Sequence, residues 1–296
     1  MKYMYLFCLI VWGLNFIAVK IQGTPVALEV SLTYRLAMTT VLFILFALLV
    51  KRTNKPTATD MPFIVVFGVC NFALSYLCLY YATMLSSAAI VTLIFSLKVI
   101  LTPIALRLFL KETLHARVWI GGCFGIIGVG VLIVPSLGSI HGLTDLKGVL
   151  IALVGTLLTA VGDASSARNA KQRINPVHAN AIGFTVASLV MGAIVMIQGT
   201  PLTLPTTVTY LSALLYLTVI ASFLAWLFYL KLVERIGGAK SGYMVALFPL
   251  IGGVASVLIG ESTLSLPLII GCLFSCVGAS VALGINIPRQ RKKVYP

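Results

Sequence analysis

Charge is what this sequence has least of. Asp, Glu, Lys and Arg make up 9% of its 296 residues, while 60% are hydrophobic and the mean hydropathy is +1.08. A soluble domain carries about 25% charged residues, so this chain has too few to clothe a water-facing surface. A soluble enzyme, an extracellular disulfide scaffold and a disordered regulator are excluded on that ground. Acid is scarcer still: seven Asp and Glu stand against 21 Lys and Arg. There is no CxxC pair, no HExxH, no GxSxG and no paired carboxylate in an apolar run. The residue sets for a structural zinc, a metalloprotease or a serine nucleophile are therefore missing. A P-loop GxxxxGK[ST] is missing too, which leaves nothing to cradle ATP. The apolar residues come in continuous runs and do not alternate, which excludes a transmembrane β-barrel.

What is present is a series of long apolar runs. Ten can be marked, at about 4–21, 29–50, 61–85, 87–108, 118–134, 148–167, 179–197, 210–232, 242–259 and 266–285. Each approaches the roughly 20 residues that a helix needs to cross a bilayer. Turn chemistry separates them, at Gly23-Thr24-Pro25, Lys55-Pro56, Asn175-Pro176, Gly199-Thr200-Pro201 and Gly237-Gly238. The first run leads into further spans without a small-residue cleavage site, so it reads as a span and not as a signal peptide. With the N-terminus inside, 17 of the 21 basic residues fall on inner loops and tails and two, Lys20 and Lys147, on the outer side. The remaining two, Arg35 and Lys98, lie within spans. Ten helices with both termini in the cytoplasm satisfy the positive-inside rule at every loop. The same placement accounts for the net charge of +14 without a nucleic-acid partner.

The two halves echo each other at an offset of 149. Gly13 falls on Gly162, Tyr80 on Tyr229, Lys111-Glu112 on Gly260-Glu261, and Gly122-Cys123 on Gly271-Cys272. Five helices per half is an odd number, so the second half enters the membrane from the opposite side. The expected fold class is an all-α membrane protein, with ten transmembrane helices as two inverted five-helix repeats. The first repeat is expected over 1–138 and the second over 146–288, with a basic cytoplasmic tail at 289–296. Inverted repeats are a construction of secondary transporters.

Trp12-Gly13-Leu14-Asn15-Phe16 resembles the WGxNF hallmark of the EamA-type transporters of the drug/metabolite transporter superfamily. Tyr34-Arg35-Leu36-Ala37 resembles their second-helix pattern. Ser87-Ala88-Ala89 through Leu110-Lys111-Glu112 resembles the end of the first repeat. Ala239-Lys240-Ser241 through Phe248-Pro249 to Gly260-Glu261 resembles the end of the second. The resemblance covers the whole chain. It implies two inverted five-helix repeats around a central cavity and the export or exchange of small metabolites, amino acids or drugs. The repeat adds alternating access, the missing motifs argue against an enzyme or a cofactor, and the expected location is a bacterial inner (plasma) membrane. Two positions depart from the pattern. Lys98 stands about where the family often has a proline midway along the fourth helix. Gly162-Asp163 stands where the sixth helix often carries an aromatic.

Charges within a bilayer cost about 2.5–3.5 kcal/mol each on insertion scales and mark function by default. Lys98 is the sharpest candidate, as a cation for an anionic or zwitterionic, amino-acid-like substrate. Its alternatives are an ion pair with an acid on another helix, or proton exchange. Arg35 is a second clamp or a packing residue bonded to carbonyls of the first helix. Asp163 is a protonatable gate, or a helix-end acid paired with a loop cation. Glu29 is a gating candidate or a first-turn acid complementing its helix dipole. Asn15, Tyr34, Asn71, Tyr80, Phe95, Trp226 and Tyr243 complete the substrate-binding set, and Trp12, Tyr76 and Tyr229 are further wall candidates. Glu112 and Glu261 are expected to cap the helices that follow them. The three histidines are expected in loops and the six cysteines buried in helices, free of metal. Small residues at Gly121, Gly125, Gly271 and Ser275 mark close helix packing in a scaffold or a dimer seam. The implied partners are the lipid bilayer, a small-molecule substrate, a proton or counter-substrate, and a second copy in a homodimer. A drug-efflux protein of the same fold and a channel-like facilitator are the rival readings.

Overall fold

The computed structural model describes residues 1–50, 54–133, 142–236 and 242–283. Among these every regular element is helical. We label the rods α1 (Lys2–Gln22), α2 (Leu28–Leu49), α3 (Met61–Leu85) and α4 (Ala88–Leu110), then α5 (Ala116–Ile133), α6 (Gly142–Lys171) and α7 (Pro176–Ile197). The last three are α8 (208–236), α9 (242–258) and α10 (Leu266–Leu283). Seven of them are long and apolar enough to cross a membrane, and α5, α9 and α10 are shorter apolar helices. Their outward faces carry large hydrophobic side chains, among them Leu45, Ile126, Leu189, Leu215, Val254 and Leu273. Such faces suit lipid and not water.

Several rods are interrupted, and the interruptions recur at the 149-residue offset. A π-helical stretch occupies Val69–Leu74 of α3, and another occupies Tyr216–Leu224 of α8. The helix α4 breaks at Leu97 and resumes at Lys98. The helix α9 opens as a 3₁₀ turn, Gly242–Leu247, and becomes α-helical at Phe248. Each of these two breaks has a proline shortly after it, Pro103 in α4 and Pro249 in α9. A proline inside a helix clashes with the carbonyl four residues back, as Pro103 does at Val99, whereas Pro249 sits in the first turn of its α-helical stretch, where proline is tolerated. Lys111 after α4 and Gly260 after α9 both take left-handed backbone, with φ of 55° and 72°.

The packing is equally paired. The helices α5 and α10 lie together, as do α2 with α7, α3 with α6, α1 with α8, and α4 with α9. In the α5–α10 seam, a Cβ on Gly121 would sit 2.3 Å from the Gly278 carbonyl oxygen, and one on Gly128 would sit 2.8 Å from that of Gly271. Only glycine allows that approach. Gly125 instead faces Leu97 and Ile100 of α4, and the Ser275 hydroxyl bonds Ser96 of α4. The small-residue faces thus meet within the chain.

Two expectations from the sequence need correction. His178 lies in the first turn of α7 and not in a loop. Of the six cysteines only Cys8 is buried; Cys123 is exposed on α5, and Cys70, Cys78, Cys272 and Cys276 are half-buried. His141 and the tail 289–296 lie outside the described residues.

Candidate functional site

The helices surround a cavity of about 1220 Å³. Its walls include Trp12, Asn15, Arg35, Asn71, Tyr76, Tyr80, Phe95, Lys98, Asp163, Trp226 and Tyr229. The cavity runs to the end of the molecule rich in Lys and Arg, where Asn54, Glu112, His115, Arg117, Arg173 and Asn175 line it. No described loop residue from the opposite end lines it. We call these the basic end and the far end.

Of the site residues expected from the sequence, eight come together in this cavity: Asn15, Arg35, Asn71, Tyr80, Phe95, Lys98, Asp163 and Trp226. Tyr34 and Glu29 do not line it. Glu29 sits in the first turn of α2, buried, and accepts a hydrogen bond from the Tyr81 hydroxyl. The side chain of Tyr243 lies outside the described residues.

The polar wall groups form two clusters, each tied to a π-helical stretch. In the first, Arg35 of α2 is 1% exposed. Its Nε donates to Ser222 Oγ at 3.0 Å, Nη1 to the Tyr80 hydroxyl at 3.3 Å, and Nη2 to Asn15 Oδ1 at 3.1 Å. Its guanidinium carbon lies 4.6 Å from the Tyr76 ring centroid, a cation–π distance. These are side-chain groups from α8, α3 and α1, not the backbone carbonyls of the first helix. Three of the five guanidinium N–H groups are used, and no carboxylate pairs with Arg35 among the described residues. Ser222 lies in the π stretch of α8.

In the second cluster, Lys98 stands at the α4 break, and its Nζ pairs with Asp163 Oδ2 of α6 at 3.0 Å. Asn71 Nδ2, from the π stretch of α3, donates to Asp163 Oδ1 at 3.1 Å, and Thr102 Oγ1 donates to Oδ2 at 3.0 Å. Both charged side chains keep roughly a fifth of their surface, 18% and 19%. The Lys98 ammonium is therefore engaged by an acid on another helix. Asp163 does not take a loop cation: Arg168, five residues on, pairs with Asp60 at the start of α3. That acid lies outside the spanning segments. The Thr57 hydroxyl and backbone N–H, with Arg168 beside them, hold its carboxyl down at about 2.

The far end is closed by a knot of charge and backbone. Lys20, in the last turn of α1, pairs with Glu261 Oε1 at 3.2 Å. It also donates to the carbonyls of Thr83 and Ser86, at 3.1 and 3.0 Å. Glu261 accepts the Ala88 N–H of α4 on both oxygens, at 3.0 and 3.1 Å, and the Ser256 hydroxyl at 2.7 Å. Glu261 therefore caps α4 and not the helix that follows it. Its repeat-equivalent, Glu112, caps no helix in the observed bonds; it pairs with Lys171 at the end of α6, at 2.6 Å.

The sequence reading missed Ser222, Thr102 and the Lys20–Glu261 pair. Thr102 was within reach, because it lies four residues from Lys98 on one helix face. Ser222 carries no local signal, since its partner is 187 residues away.

A polytopic α-helical membrane protein with a charged cavity open toward one end is the class that this geometry defines. The EamA-like transporter family model matches residues 2–134 and again 146–284. The chain belongs to the EamA-like transporter family. An uncharacterized transporter of Archaeoglobus fulgidus is 23% identical over 95% of both chains. One of Clostridium kluyveri is 21% identical over 78% of this chain and 75% of its own. A solved crystal structure shares the fold, with a TM-score of 0.66 over 95% of both chains at 19% identity.

Proposed function

We propose that this membrane transporter is a secondary-active carrier that moves a small anionic or zwitterionic, amino-acid-like metabolite by alternating access. The carrying observation is the cavity, in which Arg35 has no acid partner among the described residues. A desolvated guanidinium with donors to spare receives a carboxylate bidentately. Lys98 and Asp163 serve the same substrate as a pair: a carboxylate competes with Asp163 for Lys98, and a substrate ammonium competes with Lys98 for Asp163. Asp163 released in this way is the residue that takes up a proton or hands its place to a counter-substrate. The two matches of one family model and the recurrent helix breaks support ten spans in two inverted repeats, over 1–138 and 146–288. Such halves exchange conformations to give two access states. The basic end then faces the cytoplasm of a bacterial cell. The chain acts as a carrier and not as an enzyme.

Aromatic walls, with Trp12, Trp226 and Tyr229 in mutual contact, favour drug efflux as a second reading. Closure of the far end favours a carrier over a channel. Counterflow in proteoliposomes, against pools of amino acids, carboxylates, nucleoside-type metabolites and lipophilic cations, tests all three. Saturable counterflow of a carboxylate-bearing pool is the expected result, with Lys98→Met inserted and folded but inactive. Normal kinetics in Lys98→Met would remove Lys98 from the site. Counterflow of lipophilic cations alone would replace the metabolite reading with efflux.

A further inference from the structure

The ion pairs among the described residues include two that match across the repeat and sit at opposite ends. Lys20 ends α1 and meets Glu261, which follows α9. Lys171 ends α6 and meets Glu112, which follows α4. Glu112 and Glu261 differ by 149, and Lys20 and Lys171 by 151. Each lysine sits at a helix C-terminus, where the dipole favours a cation. The two pairs are not in the same state. The far-end pair is the more buried, with side chains 29% and 10% exposed, and it is bonded to Thr83, Ser86, Ala88 and Ser256 as well. It thus binds the ends of α1, α3, α4 and α9 together where the cavity is closed. The basic-end pair is 52% and 39% exposed, at the cavity mouth, where Glu112 is itself a lining residue.

We infer that Lys20–Glu261 is the gate that holds the far end shut, and that Lys171–Glu112, formed at 2.6 Å but half-exposed and without the added backbone bonds, is its repeat counterpart at the open end. The inference rests on the alternating-access reading above. Glu261 carries most of the far-end contact: its carboxylate meets both the Lys20 ammonium and the first free N–H of α4, an anion at a helix N-terminus. Removing its charge releases α4 from α1 and α9 together. Removing the charge of Glu112 releases a half-exposed pair that contributes little in this state.

Amide hydrogen exchange of the full chain in lipid nanodiscs reads both ends at once. In Glu261→Gln, exchange over residues 83–90 and 255–262 should rise about tenfold or more, as local opening becomes cheaper. Over 112–117 and 168–176 it should fall, as the basic end closes. Lys20→Met, which also loses the bonds to Thr83 and Ser86, should give the same pattern, and the double variant less than the sum of the two single changes, because they share the ion pair. Glu112→Gln should leave the far end within about twofold of the parent protein. The gate is overturned if Glu261→Gln and Lys20→Met leave far-end exchange unchanged, if both ends loosen together, or if Glu112→Gln opens the far end equally. Counterflow by the unaltered protein separates the two ideas. Counterflow with unchanged exchange removes the gate alone; shifted exchange without counterflow removes the carrier reading and leaves the pair in control of the far end.

Discussion

Arg35 and Lys98 are the two basic residues that the sequence places inside spans, and the fold treats them in opposite ways. Lys98 is neutralised by Asp163, with Asn71 and Thr102 sharing the carboxylate. Arg35 is held by three neutral side chains and an aromatic face, and keeps its charge uncompensated among the described residues. The first arrangement is net neutral. The second is a fixed positive site. The cavity wall therefore holds one cation that is paired with an acid and one that has no acid partner among the described residues.

The difference can be broken most severely from the acid side. Asp163→Ala strands the Lys98 ammonium and should cost about 2–3 kcal/mol, below the usual loss for a fully buried pair because both side chains keep some solvent. Thermal unfolding in detergent measures it. The Lys98→Met/Asp163→Leu double variant should regain most of that stability without regaining counterflow. If it transports normally, the pair is structural only.

Arg35→Lys keeps the charge and loses the fork. The apparent affinity for a carboxylate substrate should fall about 10- to 100-fold, since bidentate contact is lost, with the melting point little changed. Saturation of counterflow measures this, and an unchanged affinity would make Arg35 a packing residue. Tyr80→Phe removes one of the three contacts that orient the guanidinium. A net hydrogen bond is worth about 1 kcal/mol, so affinity should drop roughly fivefold. A drop as large as that of Arg35→Lys would instead make the Tyr80 hydroxyl a direct ligand.

The smallest effect lies outside the membrane, where Asp60 pairs with Arg168 and leaves Asp163 to Lys98. Its carboxyl is lowered from 3.8 to about 2. A carboxyl depressed on folding adds stability that is present above pH 3.8 and lost as pH falls through about 2. Between pH 4 and pH 2 the parent protein should lose melting temperature that Asp60→Asn does not. Parallel curves would show that the pair adds nothing.

How much is legible follows from where each signal sits along the chain. The apolar runs marked from the sequence overlap all ten rods, with several ends matching, as at 61 and 85 for α3. Continuous hydrophobicity is a local property and needs no partner to be read. Of the eight proposed site residues that share the cavity, Asn15, Arg35, Asn71, Tyr80, Lys98 and Asp163 do so because polar side chains on apolar helices must face an interior. Glu29 falls elsewhere because an acid near a helix end can also satisfy itself against a neighbouring helix, as it does with Tyr81, and Tyr34 does not line the cavity either. Reading along the chain assigns Glu261 to the helix that follows it, since capping is then a matter of neighbours in sequence. The N–H it caps belongs to Ala88, 173 residues earlier.

By itself the sequence determined the helical class, the separation of topological from intramembrane charge, the 149-residue echo and the family motifs. These follow from composition, periodicity and spacing, which the unfolded chain already carries. The tertiary structure alone decided who pairs with whom: Lys98 with Asp163, Arg168 with Asp60, Lys20 with Glu261, and Arg35 with no acid among the described residues. Charges find partners across helix–helix contacts that join distant parts of the chain. The low dielectric around them makes the choice matter, and only packed helices bring the candidates within reach.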